Sequence, residues 1–280
     1  MTVLISDHEL SEKLKAGDND GFLILYELYG KSILNLAYKM TGSFEEAEDI
    51  TQNTFVQAYL NIHGFEGRSK LYTWLYAIAK NLCLRYLADR KSSIASLQLL
   101  IETVQAPETA DQYSDIEKKF YIEQVKEGCL LGLLRCLSFH QRMAFILYVL
   151  LEVELKNVAA ILNKSESATR TLIHRAKRNV KDFICRNCSR YNESNPCRCE
   201  DLIEFSLKQG WIKASEGIQG AGYRKEIPPS SIEAEIQGMS KIVQMYHGLP
   251  TKEPSDNLIR HIRNYITESG LEIFHYKKVK

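Results

Sequence analysis

Apolar residues return every three or four positions along most of this chain, and that habit restricts it to helices. Phe22, Tyr26, Tyr29, Ile33, Leu36 and Met40 step by four, three, four, three and four, which is one face of a helix. Gly42 follows as a C-terminal cap, and Ser43 with Glu46 three residues on is a capping box opening the next helix. The apolar face of that helix is Ala47, Ile50, Thr54, Phe55 and Ala58. The stretch 61–67 holds two glycines and reads as a loop. A further helix runs from about Ser69 to Arg90, with Leu71, Leu75, Ile78 and Leu82 on one face. Residues 8–91 therefore form a compact all-α unit.

At 280 residues the chain has room for about two domains of roughly 150 residues. Residues 92–114 read as an acidic linker, and Pro107 interrupts it; helix resumes near Ser114. Over 101–127 seven acids face three bases. A second helical unit spans 115–184, with a long apolar helix around Met143–Leu151. Two segments follow it, 156–163 and 166–184, divided by Asn163-Lys164-Ser165. A short helix, a short turn and a longer basic helix outline a helix-turn-helix. The remainder, 185–280, is a Cys-rich segment and a mostly helical extension. There Leu202–Gln209 reads as helix, 217–229 as a Gly/Pro hinge, and Leu271–Lys280 as a short strand. Ile232, Ile236, Met239, Val243 and Tyr246 are helically spaced, as are Leu258, Ile262 and Tyr265.

Charge and hydropathy narrow the function classes. Thirty-six bases against 35 acids leave a net charge of +1, which excludes a uniformly basic nucleic-acid coat but not local patches. The longest apolar run, Met143–Leu151, is far short of the ~20 residues a spanning helix needs. The start carries Asp7, His8, Glu9, Glu12 and Lys13, not the apolar core of a signal peptide. A cytoplasmic chain is expected, with no membrane segment. No paired-carboxylate, Gly-rich phosphate loop or nucleophile motif appears, so a binder is expected and not an enzyme.

Two places carry nucleic-acid chemistry. Phe65, Tyr72, Trp74 and Tyr76 interleave with Arg68, Lys70, Lys80 and Arg85. Each exposed ring can stack a base for about 1–3 kcal/mol while the cations follow phosphates. Trp74 and Tyr76 also fit a core, whereas Phe65, in a loop between two glycines, is expected to be available. The second place is 164–190, where eight bases meet two acids. Arg170 and Thr171 lie early on the basic helix, where a major groove would receive them; Arg175 and Arg178, one to two turns later, suit phosphates. A plain solvated face competes with this reading, and the helix-turn-helix outline favours DNA. On the helix after Ser43, Asp49, Gln52, Asn53 and Gln57 extend a polar face opposite the core. It is either plain solvent-facing surface or a docking surface.

Seven cysteines are present, four of them within Cys185–Cys199. Cys185, Cys188, Cys197 and Cys199 could give four thiolates to a structural zinc. A thiol-disulfide switch and unliganded reduced cysteines remain alternatives. A zinc hydrolase fits poorly, because a four-cysteine site leaves no open coordination position.

Residues 22–91 resemble region two of bacterial sigma factors of the extracytoplasmic-function (ECF) class. The resemblance is carried by Ala47-Glu48-Asp49-Ile50-Thr51-Gln52-Asn53-Thr54-Phe55, Phe65, Thr73-Trp74-Leu75 and Ile78-Ala79-Lys80-Asn81. Residues 126–184 resemble region four through Leu137, Gln141-Arg142, Val158-Ala159, Ile161-Leu162 and His174-Arg175-Ala176-Lys177. The resemblance implies a promoter-specificity subunit that needs no cofactor for activity, with core RNA polymerase, promoter DNA and an anti-sigma factor as partners. It implies polymerase docking through Asp49, Gln52 and Asn53. It implies capture of flipped minus-ten bases in the 61–69 loop, with Asn61, His63, Phe65, Arg68 and Ser69, while Trp74 and Asn81 meet the melting junction. Recognition of the minus-thirty-five element would fall to Ser165, Ser167, Arg170, Thr171, His174, Arg175 and Arg178. Asn53 replaces a usual Glu, Ser138 a usual Pro and Asn157 a common Glu; Thr169 stands where Val is common. The last hundred residues match no named family; their two amphipathic helices would either pack on region two or four and hold the factor inactive in cis, or form a small stabilising appendage. The competing reading is a helix-turn-helix regulator that acts without polymerase docking.

Overall fold

The structure is a computed structural model that describes residues 5–88, 113–209, 211–212 and 234–267. The linker at 92–112, the hinge at 217–229 and the segment 271–280 lie outside the described residues. Among those described, every regular element is helical.

Two compact units emerge, and neither is continuous in sequence. The first contains residues 1–90, 154–166 and 251–280. Its frame is α1 (Asp7–Lys15), α2 (Asn19–Thr41), α3 (Phe44–Asn61) and α4 (Leu71–Leu87). The boundaries follow local chemistry. Ser43 Oγ accepts the Glu46 N–H at 3.3 Å to start α3, and Gly42 closes α2 at φ 77°, a conformation glycine adopts freely. The face foreseen along α2 is inside: Phe22, Ile33, Leu36 and Met40 are buried. Two short helices complete the unit, α7 (Leu155–Leu162), packed on α4, and α11 (Asp256–Thr267), packed on α2 and α3.

The second unit holds residues 91–153 and 167–250. Its helices are α5 (Asp115–Arg135), α6 (Phe139–Phe145), α8 (Glu166–Asn187, from Ser167 onward), α9 (Ile203–Lys208) and α10 (Ala234–His247). Ser114 and Glu117 form a reciprocal capping box at the start of α5. Ser138 does the same for α6 with Gln141, so the serine that replaces the usual proline still supplies a helix start. Arg142 caps the end of α5: its Nη2 donates to the Arg135 carbonyl at 2.6 Å and to that of Leu137 at 3.4 Å. The apolar run from Met143 is not one straight α-helix. It leaves α6 as a π-turn over Ile146–Leu150, and the chain then passes through Glu152 at φ 52°. Phe145 meets Tyr246 of α10 edge-on at 5.8 Å, and the Tyr246 hydroxyl donates to the Leu130 carbonyl at 3.2 Å.

Candidate nucleic-acid interface

The helix-turn-helix outline is present in the backbone. Helix α7 ends at Asn163, which takes the left-handed conformation (φ 52°, ψ 53°), and the Lys164 N–H donates back to the Ala159 carbonyl at 3.0 Å. Helix α8 then divides into two faces. Thr169, Ile173, Ala176, Val180 and Phe183 step by four, three, four and three and are buried. Thr169 is 0 % exposed, so the residue standing in place of Val packs in the core all the same. Ser167, Arg170, Thr171, His174, Arg175 and Arg178 step by three, one, three, one and three, and all are exposed, as is Ser165 just before the helix. The Thr171 hydroxyl donates to the Ser167 carbonyl at 3.1 Å, and Arg178 lies 3.9 Å from Asp182. Lys177 sits over the half-exposed Tyr148 ring at 5.5 Å. The cationic edge foreseen in the sequence is thus gathered on one side of one helix.

In the first unit, Asn61, His63, Arg68 and Ser69 are exposed around a short turn, Ile62–Gly64. Arg68 is paired with Glu66 at 2.6 Å. Phe65 corrects the expectation for a loop aromatic. It is 5 % exposed, turned inward with its ring 5.4 Å from that of Trp74. Two aromatic faces in contact exclude more water than one exposed ring, which is why the loop folds over it. Trp74 is half-buried, and Asn81 is exposed. Tyr76 is in the core, where burial pushes its phenol up to about 12. Tyr72 is held differently: its hydroxyl accepts a 2.6 Å hydrogen bond from Asn157 Nδ2 of α7. Lys80 is drawn below its ordinary pKa by burial and then by the nearby Lys164 charge.

On α3, Asp49 is exposed while Gln52 and Asn53 are half-buried. Burial raises the Asp49 carboxyl, and Glu45, Glu48 and Glu46 add to the rise. Asn53 Nδ2 donates to the Asp49 carbonyl at 2.8 Å.

Of the two regions on which the tail helices were expected to pack, α11 lies on the first, against this helix. Glu48 Oε1 accepts the Ser255 N–H at 2.8 Å, and Ser255 Oγ accepts the Leu258 N–H at 3.1 Å to begin α11. Asn35 of α2, buried, receives the Lys252 N–H on Oδ1 at 2.9 Å and donates Nδ2 to the Lys252 carbonyl at 2.9 Å. Lys31 pairs with Glu253, and Lys252 lies 4.8 Å from the centre of the Tyr38 ring. Leu258 and Ile262, 3 % and 2 % exposed, close the contact. The only sequence signal was the helical spacing of Leu258 and Ile262, which marks an apolar face without naming its partner.

The cysteine cluster is a tight turn in the second unit. Cys197 N–H donates to the Asn187 carbonyl at 2.9 Å and Ser189 N–H to that of Cys197 at 3.0 Å, so Cys188 and Cys197 are paired side by side. Cys199, Leu202 and Ile203 pack on Tyr121 and Val125 of α5. Burial pushes Cys197 up to about 11 and Cys199 up to about 12. Of the four-cysteine zinc set from the sequence, Cys188, Cys197 and Cys199 line one cavity and Cys185 does not. Cys185 engages Tyr191 through its thiol, and among the described residues no three His, Cys, Asp or Glu side chains converge at ligand spacing. Nor is any helix among them long and apolar enough to cross a membrane.

Comparison with known proteins falls on the same two stretches. Residues 25–93 match the model for Sigma-70 region 2, and residues 127–180 that for Sigma-70, region 4. The ECF RNA polymerase sigma factor SigW of Bacillus subtilis is 30% identical over 175 residues, covering 59% of this chain and 90% of that one. The RNA polymerase sigma factor YlaC of the same organism is 32% identical over 161 residues, covering 56% and 88%. The solved structure of CnrH in complex with the cytosolic domain of CnrY is similar over 64% of this chain and 97% of that one, at 19% identity and a TM-score of 0.48.

Proposed function

The chain belongs to the ECF RNA polymerase sigma factors, and from that membership we propose how its surfaces divide the work. It binds core RNA polymerase and directs promoter recognition and transcription initiation. The observation that carries the division of labour is the exposed edge of α8, from Ser167 to Arg178, set opposite a buried stripe. Side chains on that edge match a major groove: Arg170 early in the helix for a base edge, Arg175 and Arg178 for phosphates. Asn61, His63, Arg68, Ser69 and Asn81 form the exposed polar set for a melted strand, with Trp74 at its margin. Phe65 supports Trp74 from beneath. Asp49, Gln52 and Asn53 of α3 offer the docking strip for polymerase.

The tail gives this factor a device of its own. Gln52 follows Glu48 by one helical turn, so the two share a face of α3. Glu48 is held by the backbone at Ser255, so the tail lies on the helix that carries the proposed docking strip. The tail therefore competes with polymerase for α3, a regulation in cis, and an anti-sigma factor would act on the same surface. All of these activities are binding events, and they take place in the cytoplasm.

Run-off transcription with purified core polymerase on a promoter library tests the reading. Transcripts from a discrete promoter class, dependent on the added chain, are expected. Tight sequence-specific binding to duplex DNA by the chain alone, with no polymerase-dependent transcript, would favour the helix-turn-helix regulator.

A further inference from the structure

The second unit contains a cavity of about 30 Å³, room for one water-sized body. Four of its lining residues are cysteines: Cys129 of α5, Cys188 at the end of α8, and Cys197 and Cys199 of the turn that follows. The remaining lining is aliphatic or aromatic apart from Asn187, whose Nδ2 is occupied by the Phe183 carbonyl at 2.9 Å. Cys129 is 59 positions from Cys188 in sequence, so its presence is a product of the fold. Cys185, nearer in sequence, is absent from this lining, and its thiol is engaged with Tyr191.

We propose that Cys129, Cys188, Cys197 and Cys199 together bind one zinc ion, joining α5 to the cysteine turn. Four sulfurs about one small cavity match the preference of zinc for tetrahedral thiolate at closed structural sites. The sulfurs stand on the walls and not yet at ligand spacing. Binding would have to draw them together, and each cysteine has one side-chain torsion to turn about. The frame that carries them is already fixed. Asn195 Nδ2 donates to the carbonyls of Cys185 at 2.9 Å and Cys188 at 3.0 Å, and the backbone of Cys197 is tied to that of Asn187 and Ser189. Each thiol that ligates releases one proton to solvent; no electron is transferred. Nothing in this proposal depends on the promoter-recognition reading.

The test uses the full-length, reduced chain and cobalt(II) as the spectroscopic stand-in for zinc. One cobalt per chain is expected, with the thiolate charge-transfer intensity of four sulfurs, displaced by zinc. Cys129→Ser should lose about a quarter of that intensity, as four sulfur ligands become three, while Cys185→Ser leaves it intact. Because Cys129→Ser can disturb the core, alkylation of the unaltered chain gives a second reading. Zinc should protect the Cys129 peptide from a thiol-modifying reagent and leave the Cys185 peptide reactive. The proposal is overturned if no thiolate band forms, if Cys185→Ser is the variant that loses a ligand, or if the four thiols are recovered as disulfides that bind no metal.

Discussion

A methyl group on Gly30 would stand 2.7 Å from Cε2 of the Tyr26 ring. That ring cannot swing aside freely, because its other contact is the Phe55 ring at 5.1 Å. Overpacking of this kind costs about 1–3 kcal/mol. The helix-propensity gain of alanine over glycine is about 1 kcal/mol. Gly30→Ala should therefore lower the melting temperature by several degrees; an unchanged or raised value in a circular-dichroism melt would show that Tyr26 yields. Burial also sets the alkaline limit. Tyr26 and Tyr76 are both raised to about 12 from 10.0. The unfolded phenols ionise first, so the stability they secure is whole below pH 10 and falls as pH climbs toward 12. Denaturant midpoints measured from pH 9 to 12 should decline across that interval, and Tyr76→Phe should flatten the decline. On α8, Arg170→Ala should cost about 1–3 kcal/mol on the cognate upstream element and little on altered ones. An equal loss on every sequence, diminishing with salt, would move Arg170 to the phosphate backbone.

At the scale of elements, amphipathic spacing and helix-end chemistry are legible in the sequence alone. The α2 face, the Gly42 cap and the start of α5 at Ser114 follow from local rules that need no partner. Phe65 departs from its expectation for the opposite reason: loop position says nothing about a ring arriving from α4 to cover it. The apolar run at Met143–Leu151 gave the length of a helix but not its π-turn. Helical spacing in the tail marked Leu258 and Ile262 as buried, yet only the fold reveals that α2 and α3 bury them. That contact is open to a direct test. Fully burying a Leu or Ile side chain is worth about 1.5–3 kcal/mol. Leu258→Asp with Ile262→Asp should release α11, accelerate amide exchange in α3 and raise affinity for core polymerase. Tighter exchange protection or weaker polymerase binding would mean that the tail assists docking.

Over the whole molecule, order along the chain and order in space part company. The sequence divides at the linker into two successive helical bodies, whereas each compact unit draws on three or two separate stretches. Helix α7 precedes α8 in the helix-turn-helix, yet it belongs to the unit of α4. The bond between Asn157 and Tyr72 is one reason, and it accounts for an asparagine where a glutamate is common: its amide donates to both the Tyr72 hydroxyl and Glu154 Oε2. Asn157→Ala should destabilise the first unit by about 1 kcal/mol. Amide exchange would show the loss in α4 and α7 together; a change confined to α7 would deny the link. The same distance in sequence hides Cys129, which no spacing rule associates with the cysteines after α8.

Asn35 holds Lys252 by its main chain, one carbonyl and one amide, and asks of that position only an N–H, which proline alone lacks. A clasp of that kind survives drift at position 252 to any residue but proline. What adjusts its strength is the Lys252 side chain over the Tyr38 ring and, one residue on, the Lys31–Glu253 pair. Descendants of this chain can therefore loosen or tighten the tail one neighbouring charge at a time, without ever losing the place where it fastens.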